Sequence, residues 1–288
     1  MKFGFILPNY GTQASRLALI DSALAAESLG FESIWLTDHL ALPEADAEQF
    51  GHIYEAVTTM AYLAASTRTI RLGISTLVLP QRNPVEVAKS IATLDVLSSG
   101  RINLTTGLGW SQGEYHNLGY NFANRAKRMN EAVQVLRTLW RGQRKSSYTG
   151  KYYQFENLVF SPTPVQLGGP PLWIAGDSIH ALKRAVFLAD GWHPNATTPQ
   201  DLQEKLSQVR PLILNRPFTI AVRMSINFSL AESQGRILGG TPVQIIEQLS
   251  SYQASGMQIA IVNLLSESQA ARERAMKLFM KEIAPAFR

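Results

Sequence analysis

Six short places in the chain carry residue types that could do chemistry. Asp38-His39 puts a carboxylate beside an imidazole, the side chain that titrates near neutral pH and most often moves protons in catalysis. Ser75-Thr76 interrupts an otherwise apolar run from Ile70 to Leu79 with two hydroxyls, which either satisfy backbone groups at a strand tip or face a ligand. Gly107 and Gly109 punctuate the segment after a second such run. Gly176-Asp177-Ser178 opens a helix, where N–H groups without intrahelical partners would stabilise a phosphate, although Ser178 has an equally ordinary use as an N-cap. Asp177 would repel that phosphate unless it is turned away or offset by Arg125, Lys127 or Arg128. Asn9 and Trp192-His193 complete the set, and Gly239-Gly240-Thr241 is a second candidate for holding a phosphate.

Other chemistries are excluded or left without support. With no cysteine there is no thiolate ligand, disulfide or thiol nucleophile. The five histidines form no HxxxH or HxH pair, so no metal is expected. GxSxG and GxxxxGK[ST] are missing, as is GxGxxG after the first strand. Redox chemistry would therefore need a cofactor held by the fold itself.

The elements that must position these residues alternate. Strands are read at Lys2–Leu7, Phe31–Thr37, Ile70–Leu79, Ile102–Gly107, Leu172–Ala175, Gly191–His193, Phe218–Phe228 and Gln258–Leu264. Helices follow them: from Ser15 to Gly30, Glu55–Ala65, Pro84–Leu97, Arg125–Trp140, Ser178–Leu188, from about Pro199, from Thr241, and Ser266–Ala284. The glycine-punctuated stretch from Leu108 to Asn124 reads as a loop forming a lid or wall, and Gln143 to Gly169 as a hairpin-like excursion. Eight strand–helix units in 288 residues predict a single α/β domain, a closed (β/α)8 TIM barrel with insertions in its strand-to-helix loops, with a doubly wound sheet as the alternative. In such a barrel chemistry sits where strands end and helices begin, and all six places fall there. Alternation adds that Gly73 and Ser75 face the interior if Ile70, Leu72 and Ile74 face the helices, with Asn103, Thr105 and Gly107 inward by the same parity. Small residues at adjacent tips either leave a slot for a flat ring or are ordinary small-for-large packing.

The net charge of +5 leaves an anionic small molecule open as a partner. Nucleic acid is not expected, because the basic clusters at Arg125–Arg128, Arg141–Lys145 and Arg272–Arg274 are short and lie on or beside helices. No apolar run approaches the roughly 20 residues of a membrane span, and the start lacks a signal-peptide layout, so a cytoplasmic protein is expected.

FGFILPNYG, the segment from Glu27 to Trp35 running into Thr37-Asp38-His39, RNPVEVAKSIATLDVLSSGRINLTTGLGW, YTGKYYQFENLVFSPTPVQ, PPLWIAGDS and ADGWHP together resemble the bacterial luciferase-like monooxygenase superfamily. They are most similar to its branch of deazaflavin (coenzyme F-420) dependent oxidoreductases. The resemblance implies a barrel holding F-420, or alternatively FMN, at its C-terminal mouth. It also implies a bulge with a non-prolyl cis peptide at Ser75-Thr76, cofactor contacts at Gly107 and Gly109, and a phosphate loop at Gly176-Asp177-Ser178. Two departures stand out: the acidic catalytic residue that sugar-phosphate dehydrogenases of the superfamily carry just after strand four falls on Trp110, and Asp177 replaces a common glycine. The expected reaction is hydride transfer between the deazaflavin and a small organic substrate, with His39, held by Asp38, moving the proton. Trp110, Tyr115, His116 and Trp192 are expected to line the substrate side. An FMN-dependent monooxygenase fed by a flavin reductase and a non-catalytic flavin-binding barrel are the alternatives, and a homodimer is usual among similar proteins.

Overall fold

The computed structural model describes every residue except 196, 214 and 288. Its parallel strands are β1 (Lys2–Ile6), β2 (Ser33–Leu36), β3 (Arg71–Val78), β4 (Ile102–Gly107), β7 (Leu172–Ala175), β8 (Gly191–His193), β9 (Thr219–Asn227) and β11 (Ile259–Leu264). They pair in that order, and β11 closes the ring by pairing with both β9 and β1. The closed barrel stands and the open doubly wound sheet does not. The excursion is an antiparallel hairpin of β5 (Ser146–Thr149) and β6 (Gln154–Leu158).

The helices are α1 (Arg16–Leu29), α2 (Ala56–Ser66), α3 (Pro84–Leu97), α4 (Gln112–Asn117), α5 (Arg125–Trp140), α6 (Ile179–Leu188), α7 (Pro199–Ser207), α8 (Arg210–Ile213), α9 (Pro242–Ala254) and α10 (Gln269–Leu278). Three elements depart from the sequence reading. α4 replaces part of the irregular loop, started by the Ser111 side chain accepting from the Glu114 N–H, and is too short to show a helical period. A three-residue strand, β10 (Ile237–Gly239), pairs with the C-terminal end of β9 on the edge opposite β11. The closing helix ends at Leu278 and continues as a π-helical turn, Phe279–Ile283.

Two-residue alternation splits each barrel strand between two cores. Leu72 and Ile74 of β3, with Ile34 and Leu36 of β2, join the large layer between sheet and helices. Ile6, Trp35, Trp173, Ala221, Ile259 and Ile261 fill the barrel itself. Trp35 and Trp173 stack with centroids 5.4 Å apart, and a Cβ on Gly4 or Gly73 would collide with the Trp35 ring. Gly73 is thus small because its neighbour is large, which settles that position as packing rather than as a ligand slot. Above the two indoles the barrel opens.

Candidate active site

The opening is made by a local irregularity. β3 pairs with β4 through Ile74–Leu104 and then Leu77–Thr106, so Ser75 and Thr76 oppose the single residue Thr105 and form a bulge. The Ser75–Thr76 peptide is cis. Both residues line a cavity of about 920 Å³ at the C-terminal end of the strands, large enough for a cofactor together with a small substrate. Gly107, Gly109, Gly176, Asp177 and Ser178 border the same cavity, as do Asp38, His39 and Trp110. A side chain on Gly107 would come within 2.7 Å of Thr76 Cγ2, and Gly109 is left-handed at φ +68°, so this wall admits backbone only.

Three of the expected substrate-lining residues lie elsewhere. Trp192 has the outward parity of β8; it is fully buried against the helical layer, with Nε1 donating to the Gly176 carbonyl at 2.8 Å. Tyr115 is fully buried behind the wall, its hydroxyl donating to the Leu108 carbonyl, and burial pushes its phenol well above the ordinary range, out of any titrating role. His116 is exposed on the last turn of α4. Only Trp110 lies on the cavity, 53% exposed and edge-on to His39 at 5.6 Å.

Asp38 does not hold His39. Its carboxylate accepts from the Val78 N–H at 3.0 Å and from Arg82 at 2.6 Å, while Glu55 also accepts from Arg82 at 3.1 Å. Burial pushes the Asp38 carboxyl up even against the Arg82 charge. The partner of His39 is Glu114, whose Oε2 lies 3.0 Å from Nδ1. Glu114 is completely buried at the start of α4, and its oxygens also accept from the Leu40 and Ala41 N–H groups and from Gln81 Nε2. Burial alone would raise its carboxyl, but the bonds from His39, Leu40 and Gln81 hold it at about 2. An ionised carboxylate only accepts, so Nδ1 carries a proton and Nε2 is the atom left for chemistry in this cavity-lining ring. Phe50 packs over the imidazole at 4.9 Å.

Sequence reasoning missed Glu114 because the acidic residue was sought just after β4, whereas the short helix brings it back from four positions beyond Trp110. The available signal was Ser-x-x-Glu at Ser111 to Glu114, which starts a helix and so fixes where Glu114 points. Two more groups emerge from parity. His193, inward-facing beside outward Trp192, donates from Nδ1 to the Ala221 carbonyl at 2.7 Å and accepts at Nε2 from the Ser75 hydroxyl at 2.8 Å. Burial, with Arg223 adding to it, brings its imidazole down to about 3, so it is neutral. Arg223 on β9 donates to the Ser75 carbonyl at 2.5 Å and to Thr37 Oγ1 at 3.3 Å, and forms part of the cavity lining.

The rim beside α6 carries His180 and Arg184, whose Nε donates to Asn130 at 2.8 Å. Asp177 gives an oxygen to the Asn195 N–H at 2.6 Å, linking the loops after β7 and β8. Arg125 lies on the Phe122 ring, and Arg128 donates to the Pro80 carbonyl; neither forms part of the cavity lining. Gly239-Gly240-Thr241 is not on the cavity either, and the Thr241–Gln244 capping box satisfies the start of α9 internally. Asn9 clamps β1 to β2, donating to the Thr37 carbonyl at 2.8 Å and accepting the Thr37 N–H at 2.9 Å. Among the described residues no cluster of His, Asp or Glu could hold a metal.

A closed parallel barrel with a bulged third strand and a large cavity over its mouth defines the class of fold, and sequence comparison narrows it. The luciferase-like monooxygenase family matches residues 1–234, and the chain belongs to that family. It is 33% identical over 187 residues to the F420-dependent hydroxymycolic acid dehydrogenase of Mycobacterium tuberculosis, covering 64% of this chain and 50% of that protein. The chain thus spans about half the length of that relative. Among solved structures it resembles monooxygenase RslO1 from Streptomyces bottropensis, with TM-score 0.87 and 20% identity over 100% of both chains. It also resembles an F420-dependent secondary alcohol dehydrogenase in complex with an F420–acetone adduct, with TM-score 0.84 and 17% identity over 100% of this chain and 99% of that one. At these identities the two structures establish a shared fold.

Proposed function

We propose that this chain is an oxidoreductase that binds the deazaflavin F-420 in the large cavity and interconverts a small alcohol and its carbonyl, with His39 moving the hydroxyl proton. The observation that carries this reading is the His39–Glu114 pair. A buried, ionised Glu114 fixes the tautomer with Nδ1 protonated and Nε2 as the base, the arrangement needed to accept a proton from an alcohol. The dehydrogenase relative from Mycobacterium tuberculosis supports the same class of chemistry.

The residues present fit a flat cofactor with an anionic tail. Ser75, Thr76, Gly107 and Gly109 offer a backbone-rich wall for a ring, and a side chain at Gly107 would fill it. The first N–H groups of α6 after Ser178, with Arg184 and His180, offer the anion contact. Asp177 enters as the brace that holds this loop to Asn195. The deazaflavin, when bound, supplies the hydride acceptor or donor. The chain's part is to exclude water beneath Phe50 and Trp110, to place the hydroxyl at His39 Nε2, and to take or return its proton.

Anaerobic absorbance titration separates the readings. Saturable binding of F-420, followed by bleaching when secondary alcohols are added, is the expected result. Failure to bind F-420, with oxygen uptake on reduced FMN, would instead identify an FMN monooxygenase fed by a reductase. Binding without turnover of any acceptor would identify a non-catalytic flavin-binding barrel. No helix among the described residues is long and apolar enough to cross a membrane. A cytoplasmic homodimer belongs to this proposal through the family resemblance, and light scattering on the purified chain tests the dimer.

A further inference from the structure

A second, smaller cavity of about 240 Å³ lies between the loop after β1 and the loop after β11, lined by Gly11, Gln13, Asn263, Ser266 and Arg272 among others. Gln49 borders both cavities, so the small one is an annex beside the active-site mouth. Arg272 is its unusual feature. The residue is only 6% exposed, yet no carboxylate lies within ion-pair distance of it among the described residues. One guanidinium nitrogen, Nη2, donates to Gln13 Oε1, and Gln13 in turn donates to the Ser266 carbonyl at 2.8 Å. The other, Nη1, is buried with no partner among the described residues.

The contrast with Arg82 shows what is missing. Burial pulls Arg82 down, but Asp38 and Glu55 more than offset it; burial pulls Arg272 down with nothing opposing it. Arg272 also sits in the first turn of α10, where the helix dipole disfavours a cation and no acidic residue compensates. A buried cation is ordinarily paired, and here the chain supplies every component of a paired site except the anion.

We propose that this annex is a binding site for a small carboxylate, with Arg272 as its charge partner and Gln13 as the group that orients the guanidinium. At about 240 Å³ the cavity has room for a short or singly ringed acid. The proposal is independent of the redox reading, because it concerns a second site and needs no cofactor.

The test uses acetate and benzoate as probes on the full chain without cofactor, at constant ionic strength set with chloride, followed by calorimetric titration and melting temperature. Saturable binding is expected in the wild type, with a melting temperature that rises with probe concentration. Arg272→Gln should weaken binding by about tenfold to a hundredfold, the usual loss for a charge-assisted hydrogen bond. Gln13→Glu places a carboxylate on Arg272 from within the chain and should abolish the response to acetate even if Arg272→Gln folds poorly. Arg223→Gln, in the main cavity, should leave the response in place. The proposal is overturned if neither acid binds the wild type, if Arg272→Gln and Gln13→Glu respond as the wild type does, or if Arg223→Gln alone removes binding.

Discussion

Replacing Glu114 by Gln tests the catalytic argument at its root. The side chain keeps its shape, and an amide oxygen in the place of Oε1 still accepts from Leu40 and Ala41. The new NH₂ takes the place of Oε2, facing His39 Nδ1 and Gln81 Nε2. A donor there forces Nδ1 to become an acceptor, and the proton moves to Nε2, where the base should be. Gln81 can turn its amide to accept from the new NH₂, since its own Oε1 has no partner among the described residues. The stability cost is therefore only about 1–3 kcal/mol, the worth of hydrogen bonds to a charged group. The loss of general-base catalysis is far larger, about 10² to 10⁴ in kcat/KM for alcohol oxidation. Long-range proton–nitrogen NMR of His39 reads the tautomer directly, and F-420 bleaching reads the rate. Activity within a few-fold of wild type, or a His39 that keeps its proton on Nδ1, would refute the assignment. Asp38→Asn is the control: it disturbs the pairing with Arg82 and lowers stability, with the His39 tautomer unchanged.

Stability should depend on pH through two buried groups of the site, His193 and Glu114. His193 is held at about 3 against an ordinary 6.5, so between those values the unfolded chain takes up a proton that the native site refuses. Its contribution is complete above about pH 6.5 and is lost as the pH falls toward 3, at up to about 1.4 kcal/mol per pH unit. Glu114, held at about 2 against 4.5, adds a further loss below about pH 4.5. Urea unfolding at pH 7, 5.5 and 4.5 checks this, and His193→Asn should flatten the upper part of the slope; a slope identical to the wild type would remove His193 from the account. In the barrel floor, Gly73→Ala drives a methyl into the Trp35 ring and should cost about 1–3 kcal/mol, read as a lowered urea midpoint at unchanged m-value.

The barrel was legible in the order of residues because its causes are local. Period-two runs such as Ile70, Leu72 and Ile74, helix starts at Ser15, Pro84 and Thr241, and the glycine stop at Gly30 each act within a few residues, and together they specify alternating elements. The mouth of the barrel followed, and Asp38, His39, Ser75, Thr76, Gly107, Gly109 and the loop from Gly176 to Ser178 all reached it. Pairing across the mouth was decided only by the tertiary fold. His39 is adjacent to Asp38 in the chain, yet consecutive side chains diverge, sending Asp38 to Arg82 and His39 to Glu114, 75 residues away. Likewise Trp192 and His193 take opposite sides of one strand, and the side that meets Ser75 belongs to His193 because β8 closes against β7 and β9 in that register. Neighbouring residues fix the direction of the chain, but hydrogen bonds and buried charges are satisfied through space, and only the closed ring brings those partners within 3 Å of one another.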